Sequence, residues 1–276
     1  MPAEECEMRN DGPPPGQADR TTRSDDFSAR IAHDFLVRLR ERQPRVHAIT
    51  NAVAKNFTAN MLLAAGAVPS MTIVADEVAD FTRHADALLV NLGTLDTERR
   101  AAIPLAIAAA QDAAVPWLLD PVFVERSPRR LAVAQQLLSR KPNVLRTNAT
   151  EFAALTRRPA DRKSAMAFAR ESGCVVALTG ATDIVTDGRR TIAIANGHGL
   201  MARITAMGCA ATAVVAACVA VGDDALLATA SGLALVGIAG EMAGEKAGGP
   251  GTFPPLLLDA LHALDEPTIA ARLRCE

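Results

Sequence analysis

From residue 27 onward, short apolar runs rich in β-branched residues alternate with longer runs dominated by Ala and Leu. The short runs predict strands at Val46–Ile49, Met71–Val74, Ala87–Asn91, Trp117–Asp120, Val144–Arg146, Val175–Thr179, Asp183–Thr186 and Thr191–Ala195. The runs between them predict helices near 27–42, 54–65, 96–112, 127–140, 149–156 and 161–172. Such alternation gives right-handed βαβ units, and so a mostly parallel sheet with helices on both faces. One stretch breaks the rule. Asp187-Gly188 lies between two strand-like runs and predicts an antiparallel hairpin over Asp183–Ala195. Only helices follow it, near 206–220, 223–246 and 255–272. With no repeat and no linker, residues 27–276 read as one α/β domain, and the polar, Pro-rich residues 1–26 as a disordered tail.

In a parallel sheet, ligands gather beyond the carboxyl ends of the strands. Polar residues collect at those ends. Thr50-Asn51 follows the first strand, Asn91-Leu92-Gly93-Thr94 the third and Asp120-Pro121 the fourth. Arg146-Thr147-Asn148 and Thr179-Gly180 close the fifth and sixth. Each alone reads as a turn or cap. Five on one edge predict a shared site.

Composition narrows the ligand class. The net charge is −2 and aromatic residues are 3% of the chain, with no Tyr, so neither phosphate neutralisation nor base stacking is provided for. Nucleic acid is not an expected partner. The run Cys209–Val221 is too short to cross a bilayer, and no signal-peptide pattern precedes it, so the reading is cytoplasmic with no membrane partner. The five cysteines lack C-x-x-C spacing and predict reduced thiols.

The candidate chemistry is anion binding. In NGHGLMARITAMGCAATA, residues 196–213, a glycine-containing turn runs into a small-residue helix, whose first N–H groups and dipole would attract phosphate. Cys209 stands in that first turn, where the same field would lower its pKa. Asn148 and Glu151, three apart in NATE, read first as a helix cap, which the N-cap rules favour, and also as two groups able to point to one spot. Asp120 adds a second carboxylate. Two acids at neighbouring strand ends without a His cluster suit Mg²⁺ held largely by water and phosphates. Arg146 and Thr179 could hold phosphate oxygens.

Together the motifs VHAITNAVAKNFTANMLLAAGAVPSM, LLVNLGTL, LLDPV, LRTNATE, ALTGATDIVTDG, NGHGLMARITAMGC and GGPGTFPPLLLDAL resemble the hydroxyethylthiazole kinases, a thiamine-salvage family of the ribokinase-like superfamily. The resemblance implies a three-layer α/β/α fold, usually a homotrimer with sites between subunits. It implies ATP and Mg²⁺ as cofactors and hydroxyethylthiazole as the small-molecule substrate. Met71 falls on the family's thiazole-binding methionine, with Asn51 nearby, and Ala206 on a glycine of the substrate site. Arg146, Thr179 and Gly208 fall in the nucleotide and phosphate motifs, Asp120 and Glu151 on the Mg²⁺-associated acids. Cys209 stands where most of the superfamily carries a catalytic Asp, and would orient the hydroxyl or, as thiolate, take its proton. Two loops depart from the family. Ala206-Met207-Gly208-Cys209 replaces G-[TA]-G-C, and DPVFVER at 120–126 replaces DPVGAGA. Those losses leave two other readings open: a kinase for another hydroxymethyl heterocycle, such as hydroxymethylpyrimidine, or a non-catalytic thiazole- or nucleotide-binding protein.

Overall fold

The computed structural model of the chain describes residues 27–276. The expected N-terminal tail, 1–26, lies outside them. The strands are β1 (Arg45–Ile49), β2 (Val68–Ser70), β3 (Ala87–Asn91), β4 (Trp117–Asp120), β5 (Val144–Asn148), β6 (Val175–Thr179), β7 (Asp183–Thr186) and β8 (Thr191–Ile194). They form one sheet in the order β2-β1-β3-β4-β5-β6-β7-β8. Pairing is parallel from β2 to β6, while β7 and β8 are the antiparallel hairpin expected around Asp187-Gly188.

Five helices precede β6 on one face: α3 (Val78–Arg83), α4 (Thr97–Asp112), α5 (Pro128–Leu138), α6 (Ala149–Thr156) and α7 (Arg162–Ser172). The other face carries α1 (Ala29–Arg42), α2 (Lys55–Ala65), α8 (Met207–Ala220), α9 (Ala225–Lys246), α10 (Phe253–Ala263) and α11 (Glu266–Arg272). The strands feed both cores because their side chains alternate. In β3, Ala87 and Leu89 pack on the α8–α9 side and Leu88 and Val90 on the α4 side. In β6, Val175 and Ala177 face the first and Val176 and Leu178 the second. Buried on both faces, such strands must be apolar throughout, which is why they stand out in the sequence.

Three expectations are corrected. The strand expected at Met71–Val74 is an irregular segment; the paired residues are Val68–Ser70, just past the Gly66 cap of α2. Pro69 is tolerated there because β2 is an edge strand. A short helix, α3, occupies a stretch with no predicted element. The helix expected over 255–272 is two helices, because the Asp265 side chain accepts the N–H of Thr268 and starts α11 afresh, with Pro267 in its first turn. Helix α9 is long and apolar enough to cross a membrane, yet 83% of its apolar window is buried inside the protein, as befits a core helix.

Candidate active site

The strand ends deliver what the sequence pattern predicted of them. Asn91 of β3 and Asp120 of β4 are paired positions in the sheet, as are Asn148 of β5 and Thr179 of β6, so these side chains stand side by side on one edge. Helix α8 begins against that edge, and its N-terminal residues touch both halves of the row.

The first half is a buried hydrogen-bonded chain. Asn51 Nδ2 donates to Cys209 Sγ and to Asn91 Oδ1, each at 3.2 Å. Asn91 Nδ2 donates to Asp120 Oδ2 at 2.8 Å, and the Thr212 hydroxyl donates to the same oxygen at 3.1 Å. Asp120 is wholly buried, and its other oxygen, Oδ1, has no partner. Burial pushes the Asp120 carboxyl up to about 6, against the pull of Arg146 and with the push of Glu151. Sequence reasoning placed Asn91 among the polar strand ends without giving it a role, and missed Thr212. Thr212 was findable, since it lies three residues after Cys209 and four after Gly208 on one helical face.

Cys209 corrects an expectation. Burial, then the nearby Asp120 carboxylate, push its thiol up to about 12, outweighing Arg146 and the amide bonds. A helix N-terminus lowers a thiol pKa only where the thiolate can remain solvated or paired. Cys209 is a thiol at neutral pH.

The Glu151 side chain completes a capping box. Its Oε2 accepts the N–H of Asn148 at 3.0 Å while Asn148 Oδ1 accepts the N–H of Glu151 at 2.9 Å. Oε1 accepts the N–H of Phe123 at 3.1 Å, tying the loop after β4 to α6. The cap reading is met, and Glu151 is near enough to Asp120 for its charge to raise that carboxyl. Phe123 and Ala206, where the resemblance places glycines, have left-handed backbones, with φ of 58° and 69°. A left-handed backbone at such non-glycine residues costs roughly 1–2 kcal/mol each.

The second half is an open cavity of about 600 Å³ beside the strand ends, lined by Arg146, Thr179, Asn196, Gly197, Met207 and Gly208 among others. Arg146 reaches it over the start of α8. A Cβ on Gly208 would lie 2.8 Å from Arg146 Nη1, so glycine is what lets the guanidinium lie against the helix N-terminus. Arg146 Nε is buried without a partner. Such a group suits an anion. Met71 sits one residue past β2 and packs partly buried against the α8–α9 core, outside the hydrogen-bonded chain. His47, on β1, is buried and bonds Ser70 through Nδ1 at 2.8 Å.

The profile of the hydroxyethylthiazole kinase family matches residues 36–267. The chain belongs to that family. It is 47% identical over 244 residues to a hydroxyethylthiazole kinase of Granulibacter bethesdensis, covering 84% of this chain and 89% of that one. A probable hydroxyethylthiazole kinase of Agrobacterium fabrum is 41% identical over 254 residues, covering 92% and 98%. Among solved structures, the hydroxyethylthiazole kinase protein of Pyrococcus horikoshii superposes with a TM-score of 0.86 at 41% identity, covering 90% of this chain and 98% of that one. The fold is shared more widely: an NAD(P)H-hydrate dehydratase of Bacillus subtilis, co-crystallised with ATP/Mg²⁺, gives a TM-score of 0.55 at 13% identity over 80% of this chain and 90% of that one. A ribokinase-like superfamily protein of Enterococcus faecalis shares the fold too, with a TM-score of 0.65 at 12% identity over 85% of this chain and 94% of that one, and the site described above lies at the carboxyl edge of this sheet.

Proposed function

We propose that the protein transfers the terminal phosphoryl group of ATP to the hydroxyl of 4-methyl-5-(2-hydroxyethyl)thiazole, a step of thiamine salvage. The observation that carries the reading is Arg146: a guanidinium with an unpartnered Nε, laid over Gly208 at the start of α8, between an open cavity and the buried Cys209–Asn51–Asn91–Asp120 chain. Arg146, Thr179 and the free N–H groups of α8 hold phosphate oxygens on the cavity side. On the other side, Asn51 and the Cys209 thiol orient the acceptor hydroxyl, with Met71 against the thiazole ring. Phosphoryl transfer depends on position and on stabilising charge, so a protonated Cys209 serves it without acting as a strong base.

The acids fit a magnesium ion held mostly by phosphates and water. Asp120 Oδ1 is buried and unpartnered, while no group of three or more His, Cys, Asp or Glu side chains among the described residues could hold a metal alone. Asp120 and Glu151 would hold it, and it would offset charge on the phosphates.

The test is ATP-dependent phosphorylation of the thiazole alcohol, followed through ADP release. Glu151→Gln is the informative variant, because glutamine removes the charge yet keeps one acceptor oxygen for the N–H of Asn148 or of Phe123, whereas alanine would orphan both. Turnover should fall at least about tenfold, with a stability loss of about 1–3 kcal/mol from the one N–H left unpaired. Unchanged turnover and unchanged Mg²⁺ dependence would sink the metal assignment.

We further propose a homotrimer with sites between subunits. Val53, Val68, Val74 and Phe81 are exposed around the β2 edge, close in sequence to Asn51 and Met71. Solution mass tests it.

A further inference from the structure

One wall of the 600 Å³ cavity is the segment Ala195–Gly199. This segment follows β8 directly. It is held from behind. Asn196, buried, donates through Nδ2 to Glu241 Oε1 at 3.0 Å and to the Arg272 carbonyl at 2.8 Å, and its Oδ1 accepts the N–H of Arg274 at 2.8 Å. The Gly197 N–H donates to the same Glu241 oxygen at 2.9 Å. Arg274 completes the ring, its guanidinium bonding the Ala195 carbonyl at 2.7 Å and pairing with Glu241.

Three features make this more than a surface ion pair. Glu241 lies inside α9, a buried core helix, and its side chain is only 11% exposed. A carboxylate there is costly unless charge and hydrogen bonds offset it, and two neutral donors from the cavity wall, along with Arg274, do so. Second, α9 is shaped to receive the wall: a Cβ on Gly237 would fall 2.7 Å from the Asn196 carbonyl oxygen. Third, residues 274–276 pair with the outer side of β8, so the clamp closes the segment between a helix and an added strand.

We infer that Glu241, together with Arg274, is a positioning residue for nucleotide binding: it fixes the Asn196–Gly197 backbone that walls the cavity, without touching the reacting atoms. The inference rests on the cavity being the nucleotide site. Glu241→Ala leaves the Gly197 N–H without its acceptor, takes one of the two acceptors from Asn196 Nδ2, and removes the carboxylate from Arg274. KM for ATP should rise about tenfold, the scale of one charged hydrogen bond lost, while kcat and KM for the thiazole stay within about twofold. Glu241→Gln keeps an oxygen for Asn196 and Gly197 and should restore most of the ATP affinity. Arg274→Ala, at a half-exposed side chain, should shift KM for ATP in the same direction by less, and serves if Glu241→Ala does not fold. Calorimetric titration of ATP into wild type and variants separates the two readings. A wild type that binds no ATP overturns the nucleotide reading and the inference with it. Wild-type binding matched by folded Glu241→Ala, or by Arg274→Ala where that is the folded variant, overturns the inference alone. So does a Glu241→Ala loss shared equally by kcat and both KM values.

Discussion

Gly208→Ala should raise stability and lower activity in the same molecule. Gly208 is the second residue of α8, with no positive φ, so alanine suits the backbone and gains about 0.5–1 kcal/mol of helix propensity and unfolded-state entropy. In a chain this size that is roughly 1–3 °C in Tm. The new methyl meets Arg146 Nη1 at 2.8 Å, where ordinary contact begins at 3.4 Å. The guanidinium must therefore retreat by roughly 0.6 Å, which the flexible arginine can do cheaply. That retreat moves its charge off the start of α8. Misplacement on this scale of a group binding phosphate costs about ten- to a hundredfold in kcat/KM. Urea denaturation and the ADP-coupled assay on one preparation read both effects. A stability loss above about 1 kcal/mol would show that the glycine serves packing instead. Unchanged kcat/KM would show that Arg146 does not handle phosphate.

Burial holds the His47 imidazole down at about 4, against small opposing effects of the Thr72 carbonyl and Glu77, so the fold keeps it neutral while the unfolded chain protonates near 6.5. Its contribution is intact above pH 6.5 and is lost as pH falls towards 4; by pH 5 the loss is about 2 kcal/mol. His47→Asn, which can keep a polar partner for Ser70, should flatten that part of the pH profile of the urea midpoint, and an unchanged profile would assign the acid sensitivity elsewhere. In solution, the proposed trimer has three times the chain mass of 29.0 kDa, and Val68→Lys on the β2 edge should dissociate it. A wild-type monomer by light scattering, or a trimer indifferent to the lysine, would refute the placement of that interface.

Most of the sheet was legible because its strands are buried on both faces and must be apolar, and because Asp187-Gly188 announces its own turn. Failures came where local signals were short or shared. The β-rich residues Met71–Val74 have strand propensity but no strand to pair with, since β1 takes up Val68–Ser70 through Arg45, Val46 and His47. Helix α3 has six residues and no side-chain N-cap bond, so nothing in its sequence marks it. The break before α11 was marked, by Asp265 and Pro267, and was readable.

At the site, sequence alone determined which residues reach the carboxyl edge of the sheet, because strand ends and helix starts are local features. It also determined the Asn148–Glu151 cap, whose two partners are three residues apart. Tertiary structure decided what those residues are chemically. The Cys209 thiol is set by burial and by a carboxylate 89 positions away in the chain, not by the helix end that carries it. Arg146 acquires its place from the missing side chain of Gly208, and the cavity wall takes its shape from Glu241 and Arg274. Charge and desolvation act through space, and only the folded chain fixes those distances.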